Sequence, residues 1–94
     1  MTANDSPGAL AEYDHAIELH DWLVNMEGRH ELLGDLASAK AQRGLLKIAM
    51  GNSELGLQEV RDAVAVLRTE IERTGRADLK KVLEDVTKKH GDKI

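Results

Sequence analysis

Apolar residues recur along this chain at intervals of three and four positions, the spacing of one face of an α-helix. The pattern extends through four segments, which are separated by short stretches that contain glycine. No segment alternates apolar and polar residues convincingly, and the near absence of aromatic side chains also disfavours β-structure. We therefore expect an all-α fold of four antiparallel helices, at residues 6–28, about 30–50, 53–74 and about 76–89.

Residues near the predicted helix ends favour starts and stops at these positions. Ser6 and Ser53 are predicted N-caps, because a serine hydroxyl accepts a backbone N–H of the first turn, and Pro7 suits the first helical position. Gly28 and Gly75 are expected to end the first and third helices, since glycine readily adopts the left-handed conformation that follows a last turn. The remaining predictions are a turn at Gly51-Asn52 and flexible tails at 1–5 and 90–94.

The chain also repeats itself at a constant offset of 47 residues (53 − 6), which starts from the alignment of Ser6 with Ser53. A fixed period of this length indicates stacked repeats, in which each unit buries its apolar face against the next. Such architectures offer binding surfaces rather than built-in chemistry. We expect a single helical repeat domain over residues 1–94. The identical pairs are Leu10 and Leu57, Glu12 and Glu59, Ala16 and Ala63, Gly28 and Gly75, Arg29 and Arg76, Leu32 and Leu79, and Leu36 and Leu83.

Small residues in the middle of the chain have the spacing of a known repeat. Gly44, the turn at Gly51-Asn52, Gly56, Val60 and Ala63-Val64 match a tetratricopeptide unit, in which small residues of two helices pack together across a glycine turn. The chain therefore resembles the tetratricopeptide-repeat family. The resemblance implies stacked helical hairpins, with close helix approaches at Ala16, Gly44, Gly56 and Ala63.

Longer motifs are similar to a long-helix bacterial variant of that family. They read Tyr-Asp-x-Ala-Ile at 13–17, Leu-Val-x-x-Glu-Gly-Arg-x-Glu-Leu at 23–32, Asp-Leu-Ala at 35–37 and Arg-Gly at 43–44. Three features depart from the family pattern, and one of them is the absence of the proline that is usual after the second helix. Lys40 and Lys47 stand where a large aromatic residue is usual, and the first unit begins with what looks like the second helix of a hairpin.

Composition and charge exclude several classes of protein. The chain has 94 residues, enough for one small domain, and without cysteine it forms no disulfide and no thiolate metal site. The formal net charge is −4 with basic and acidic residues interspersed, which disfavours nucleic-acid or membrane surfaces. The first residues lack the basic start and apolar run of a signal peptide, and no apolar stretch is long enough to span a bilayer. We expect a cytoplasmic protein that binds neither nucleic acid nor membranes.

Two Glu-x-x-His runs, Glu12/His15 and Glu27/His30, have the spacing that di-iron carboxylate bundles use. The first pair is predicted to face water, and Gly28 interrupts the second, so no continuous helical turn aligns its side chains. Such a bundle also needs buried glutamates from other helices, whereas Glu59 and Glu70 lie among polar neighbours in the sequence. With no thiol, no activated serine and no phosphate-binding glycine cluster, we expect no metal, no cofactor and no enzymatic activity.

Two residues of the first predicted helix leave more than one interpretation open. His20 falls within the apolar stripe, at the position that Leu67 takes in the second unit, and is more often a hydrogen-bonded core residue than a ligand or a base. Trp22 lies beside that stripe, where it either anchors an interface or packs against the loop after Gly28.

The resemblance also implies a function. In tetratricopeptide-like stacks the first helices of successive units line a concave surface, and here the second predicted helix takes that place, flanked by the fourth. A non-enzymatic protein-interaction module is therefore expected, with a partner-binding strip of Gln42, Leu45, Ile48 and Ala49. The alternative is a small regulatory protein, of the antitoxin, immunity or sigma-factor-antagonist type, which masks a target protein.

The first predicted helix carries more apolar residues than the following hairpin is expected to cover. Monomers seldom leave such a patch exposed, so we expect a homodimer in which two first helices pack across a two-fold axis. Alternatively, the first helix packs on the last one and closes a four-helix bundle, in which case a monomer suffices. The predicted dimer interface consists of Leu10, Tyr13, Ile17, Trp22 and Val24.

Overall fold

The computed structural model describes residues 6–91 of the chain, and these residues form four α-helices. A short 3-10 helix, His30–Leu32, lies between the first and the second. No strand occurs in this part of the chain, which confirms the predicted all-α class, and none of its helices is long and apolar enough to cross a membrane. Helix α1 spans Ser6–Glu27, α2 Leu33–Ala49, α3 Ser53–Thr74 and α4 Ala77–His90.

Left-handed glycines end the helices at the predicted positions. The φ angle is 66° at Gly28, 98° at Gly51 and 69° at Gly75. This conformation brings the Cβ of any other residue against its own backbone, so glycine is favoured there. The N–H of Gly75 donates to the carbonyl oxygen of Ile71 at 2.7 Å, which closes the last turn of α3.

The predictions of helix starts were less accurate. Ser53 is the first residue of α3 and not its N-cap, a position that Asn52 holds without a side-chain hydrogen bond to the helix. Ser6 is likewise a residue of α1 itself. Arg76 precedes α4, and α4 continues through His90, where a flexible tail was expected. The predicted tails at 1–5 and 92–94 lie outside the described residues.

The pair α2–α3 forms the centre of the molecule. Helix α1 packs on α2, and α4 packs on both α3 and α2. Within residues 6–91, no Cα of α1 lies within 8 Å of a Cα of α3 or α4. These contacts are those of a helical bundle or a hairpin stack, without a close backbone approach between α1 and α4.

Two sets of buried side chains hold this stack together, because burial of apolar surface is the main favourable term in folding. Between α1 and α2, the buried side chains are Ile17, Val24 and Leu36. The larger set joins α2, α3 and α4 and consists of Ala37, Ala41, Val60, Ala63, Val64, Leu67, Leu79 and Val86.

The close approach of α2 and α3 depends on two glycines. A Cβ built on Gly44 would lie 2.8 Å from the carbonyl oxygen of Gly56, and one built on Gly56 would lie 2.5 Å from that of Gly44. Backbone atoms cannot yield at these distances, so glycine is required on both helices. The predicted burial at helix crossings is confirmed for Gly44, Gly56 and Ala63. It is wrong for Ala16, which is only half-buried because no helix covers that side of α1.

The 47-residue repeat of the sequence relates equivalent elements of the structure. The last residues of helices α1 and α3 differ by the same offset (74 − 27). The glycines that follow them have nearly equal φ angles. Beyond these glycines, Arg29 pairs with Glu31 and Arg76 pairs with Asp78, each two positions along the chain. The sequence offset therefore matches α1 to α3 and the loops that follow them.

Candidate functional site

A groove opens where α1 and α4 both border α2 without packing on each other. It encloses a volume of about 540 Å³. Its floor is formed by half-buried leucines of α2, and α4 contributes apolar side chains and two charged ones. We call this surface the α1–α4 groove; its lining residues are Ala9, Tyr13, Gln42, Leu45, Leu46, Val82, Asp85, Val86 and Lys89.

One polar contact crosses the α1–α4 groove from wall to floor. The hydroxyl of Tyr13 donates to Oε1 of Gln42 at 3.0 Å, and Nε2 of Gln42 approaches Oγ of Ser38 at 3.4 Å. Gln42 is exposed, so its amide can exchange these partners for those of a ligand. Asp85 and Lys89 add charge of both signs from the α4 wall.

The structure separates the four residues of the predicted partner strip. Gln42 and Leu45 line the α1–α4 groove together. Ile48 instead faces α3, because its Cγ1 lies 2.6 Å from a Cβ built on Gly56 and it packs against the core. Ala49 is exposed at the last turn of α2 and is not among the groove residues. The strip is therefore reduced to its first two members.

The predicted dimer interface does not form one surface. Ile17 and Val24 are only 4% and 6% exposed, because α2 covers the face of α1 that carries them. Leu10 and Tyr13 are half-buried, and only Trp22 is exposed. The residues that remain open lie on the opposite side of α1. This outer stripe consists of Leu19, Trp22 and Met26, with exposures of 54%, 52% and 72%.

Arg43 ties three helices together beside the α2–α3 crossing. From α2 its Nη1 donates to Oδ1 of Asp14 on α1 at 2.6 Å. Its Nε and Nη2 donate to the two carboxylate oxygens of Glu59 on α3, at 2.8 and 2.6 Å. Lys47 adds a longer contact to Glu59 at 3.5 Å. A bidentate arginine–carboxylate pair fixes both distance and orientation, so this cluster sets the register of α2 against α3.

The two glutamates that were predicted to lie among polar neighbours are in fact covered. Burial opposes the ionisation of Glu59, but the hydrogen bonds and charge of Arg43, with Lys47, outweigh it and lower the pKa of Glu59. Glu70 is 4% exposed, and hydrogen bonds from Arg73 lower its pKa as well. Both carboxylates are thus paired ions of the fold.

A second arginine joins the loop before α4 to the central helix. Nη2 of Arg76 donates to Asp35 on α2 at 2.9 Å and to Asp78 on α4 at 2.6 Å. Its repeat counterpart Arg29 pairs with Glu31. The contacts of Arg43 with Asp14 and Glu59, and that of Arg76 with Asp35, span 16 to 41 positions of the chain, so sequence periodicity gave no signal for them.

The histidines of the chain are dispersed. His15 and His30 are exposed, and in the described part of the chain no three His, Cys, Asp or Glu side chains gather closely enough to hold a metal ion. His20 is half-buried in the stripe of α1 that faces α2. Its Nδ1 is buried and has no hydrogen-bond partner among residues 6–91. The predicted role of His20 as a hydrogen-bonded core residue is therefore not seen among residues 6–91.

Polar and apolar side chains are interspersed along the α1–α4 groove. No protein-family model, no curated protein and no solved structure matches this chain.

Proposed function

We propose that this chain is a non-enzymatic protein-interaction module of tetratricopeptide-like type, which acts in the cytoplasm and binds a partner in the α1–α4 groove. One observation carries the proposal. Two helices flank α2 without packing on each other, and they leave part of its surface open between them. A helical repeat that buries its stacking faces presents its remaining surface to a ligand.

The lining of the α1–α4 groove supports a protein ligand. Leu45, Leu46, Val82 and Val86 supply apolar area that a partner can bury, while Asp85 and Lys89 supply charged groups beside it. An apolar centre with a polar rim is the usual anatomy of a protein interface. Gln42 and Tyr13 offer both donors and acceptors for a backbone or an amide side chain.

The outer stripe of α1 supports a homodimer through a surface that shares only Trp22 with the interface predicted from the sequence. Leu19, Trp22 and Met26 are spaced by three and four positions and lie on the side away from α2. Tryptophan is enriched among residues that dominate interface energies. We propose that two outer stripes pack across a two-fold axis, which leaves both grooves open. Sedimentation equilibrium should give a dimer mass for the natural chain and a monomer mass for Trp22→Glu, and a monomer mass for both would contradict the proposal.

Site-specific photo-crosslinking in cells tests the interaction proposal. A photoreactive phenylalanine analogue at position 42 should form an adduct with one defined protein, whereas the same analogue at position 72 should not, because Glu72 is exposed on α3 outside the groove. Charge reversal at the groove, Lys89→Glu, should reduce the adduct at position 42. Equal adducts at positions 42 and 72, or indifference to the reversal, would contradict groove binding.

A further inference from the structure

The α2–α3 crossing shows how one helix of this fold docks on another. Gly44 of α2 lies against Gly56 and Val60 of α3, so the two backbones come into contact. One residue earlier, Arg43 donates two hydrogen bonds to Glu59. At this crossing the arginine of one helix binds a glutamate of the other, and the glycine that follows the arginine packs against a small residue.

Helix α1 repeats the surface that α3 contributes to this crossing, which we call the receiving face. At the repeat offset of 47, the positions of Gly56, Glu59, Val60 and Ala63 are taken by another set of residues. Two of them are small, and the glutamate is identical. They are Ala9, Glu12, Tyr13 and Ala16.

On α1 this receiving face is open. Val60 and Ala63 are 0% and 2% exposed on α3, whereas Tyr13 and Ala16 are half-buried on α1. Glu12 is exposed, while Glu59 is bound by Arg43. Because Ala9 and Tyr13 line the α1–α4 groove, the receiving face forms a wall of that groove.

We infer that the α1–α4 groove takes an amphipathic α-helix of a partner protein, which presents an arginine followed by a small residue to Glu12 and Ala9. The inference rests on the proposed function and specifies its ligand. The arginine donates hydrogen bonds to the carboxylate of Glu12 and complements its negative charge. The small residue permits a close approach to α1. Apolar residues on the same side of that helix cover Leu45 and Val86.

A second copy of this chain is a poorer occupant. The helix that corresponds to α2 in the second unit is α4, and its counterparts of Ala37 and Ala41 are Glu84 and Lys88. These charged side chains prevent the close packing that small residues permit on α2. A partner helix with an apolar docking side is therefore favoured over α4 of another copy.

The chain itself supplies the probe for a test. A peptide with the sequence of α2, residues 33–49, contains the Arg43-Gly44 pair in its native setting. Isolated helices of this length are marginal in water, so the peptide is stapled through positions 38 and 42, whose side chains already adjoin one another. It is titrated into the full-length, ¹⁵N-labelled protein, and the amide chemical shifts are followed.

We expect saturable shift changes in residues 9–20 of α1 and in the groove residues of α2 and α4. The Arg43→Ala peptide should bind at least about tenfold more weakly, as should the Glu12→Gln protein, because each loses a hydrogen bond between charged groups. Glu18→Gln is the matched control. It removes an exposed carboxylate of α1 whose repeat counterpart, Ala65, is exposed on α3, so binding should not change.

Three results would overturn the inference. They are no saturable shift at peptide concentrations of about 1 mM, equal binding of the Arg43→Ala peptide, and shifts centred on α3 that indicate exchange with the resident α2. If the crosslink at position 42 succeeds while the peptide fails, the interaction function stands and the ligand chemistry is wrong. If both fail, the groove is not the binding site.

Discussion

The two ends of the helix stack differ in the residues that they carry at equivalent positions of the repeat. At one end, α4 has the position that α2 has in the first unit, but charged side chains replace the small residues by which α2 packs on its neighbours. Gly34, Ala37 and Ala41 of α2 are buried. Their counterparts on α4 are Lys81, Glu84 and Lys88, which are all exposed.

At the other end, α1 has the position that α3 has in the second unit, and it keeps the residues of a packed helix. Ala16 corresponds to the buried Ala63, and Glu12 corresponds to the arginine-bound Glu59. Helical repeats stay monodisperse by covering their terminal units with polar residues. These differences are those expected if α4 is such a cap and α1 carries the proposed docking face.

The largest difference in stability between the two ends is expected when alanines at equivalent positions are replaced by leucine. Ala63→Leu should overpack the α2–α3 crossing and lower the free energy of unfolding by about 1–3 kcal/mol. The matched change Ala16→Leu should alter it by no more than about 0.5 kcal/mol, since no helix covers that position. Urea denaturation measures both, and equal losses would break the distinction between α1 and α3.

The second expected difference concerns the paired glutamates. Glu59→Ala leaves Arg43 without its bidentate partner beside the helix crossing, so we expect a loss of about 1–2 kcal/mol in the free energy of unfolding. Glu12→Ala removes an exposed carboxylate and should change that free energy by less than about 0.5 kcal/mol. A loss at Glu12 as large as that at Glu59 would mean that α1 is already covered.

Acid unfolding provides a second measure of the stabilisation by the paired carboxylate of Glu59. The pKa of Glu59 is lower in the folded chain than its ordinary value of 4.5, so the unfolded chain binds more protons as the pH falls. The stabilisation by this carboxylate is complete above about pH 4.5 and is lost as the pH drops through the lowered pKa. Glu70, paired with Arg73, acts in the same direction. Thermal melts between about pH 3 and pH 6 should show a weaker pH dependence for Glu59→Gln than for the natural chain. An equal pH dependence of the two would contradict this contribution of Glu59.

Substitutions at the α4 end are expected to have the smallest effect on stability. They are nevertheless expected to change the oligomeric state. Restoring the residues of α2 through Glu84→Ala with Lys88→Ala should change the free energy of unfolding by less than about 0.5 kcal/mol, because both side chains are exposed. It should also let α4 pack on α1 of another copy and produce open head-to-tail chains. Sedimentation velocity should then show a mass that grows with concentration. A mass identical to that of the natural chain would contradict the role of α4 as a cap.

The sequence predicted the parts of this fold that depend on local patterns. Apolar spacing placed the four helices, and the left-handed glycines at Gly28 and Gly75 followed from the need to end them. The N-cap role of Ser53 was wrong because several conformations suit a serine near a helix start. Of the predicted partner strip, Gln42 and Leu45 line the α1–α4 groove, whereas Ile48 faces α3.

Contacts between distant residues could not be predicted in this way. Arg43 meets Asp14 and Glu59 only because three helices bring them together, and surface-type residues in a helical pattern give no sign of such pairing. Burial of Ile17 likewise depends on which side of α1 meets α2. That choice left the outer stripe exposed, whereas four of the five residues predicted at the dimer interface are buried or half-buried.

The accessibility of two equivalent alanines tests the central claim most directly. Because the chain contains no cysteine, Ala16→Cys and Ala63→Cys each introduce a single thiol whose reaction with a disulfide reagent can be followed in the native protein. We expect the thiol at position 16 to react at least about tenfold faster, since the thiol at position 63 is exposed only by transient opening of the α2–α3 pair. Similar protection at the two positions would show that the face of α1 is already filled, and would contradict the account.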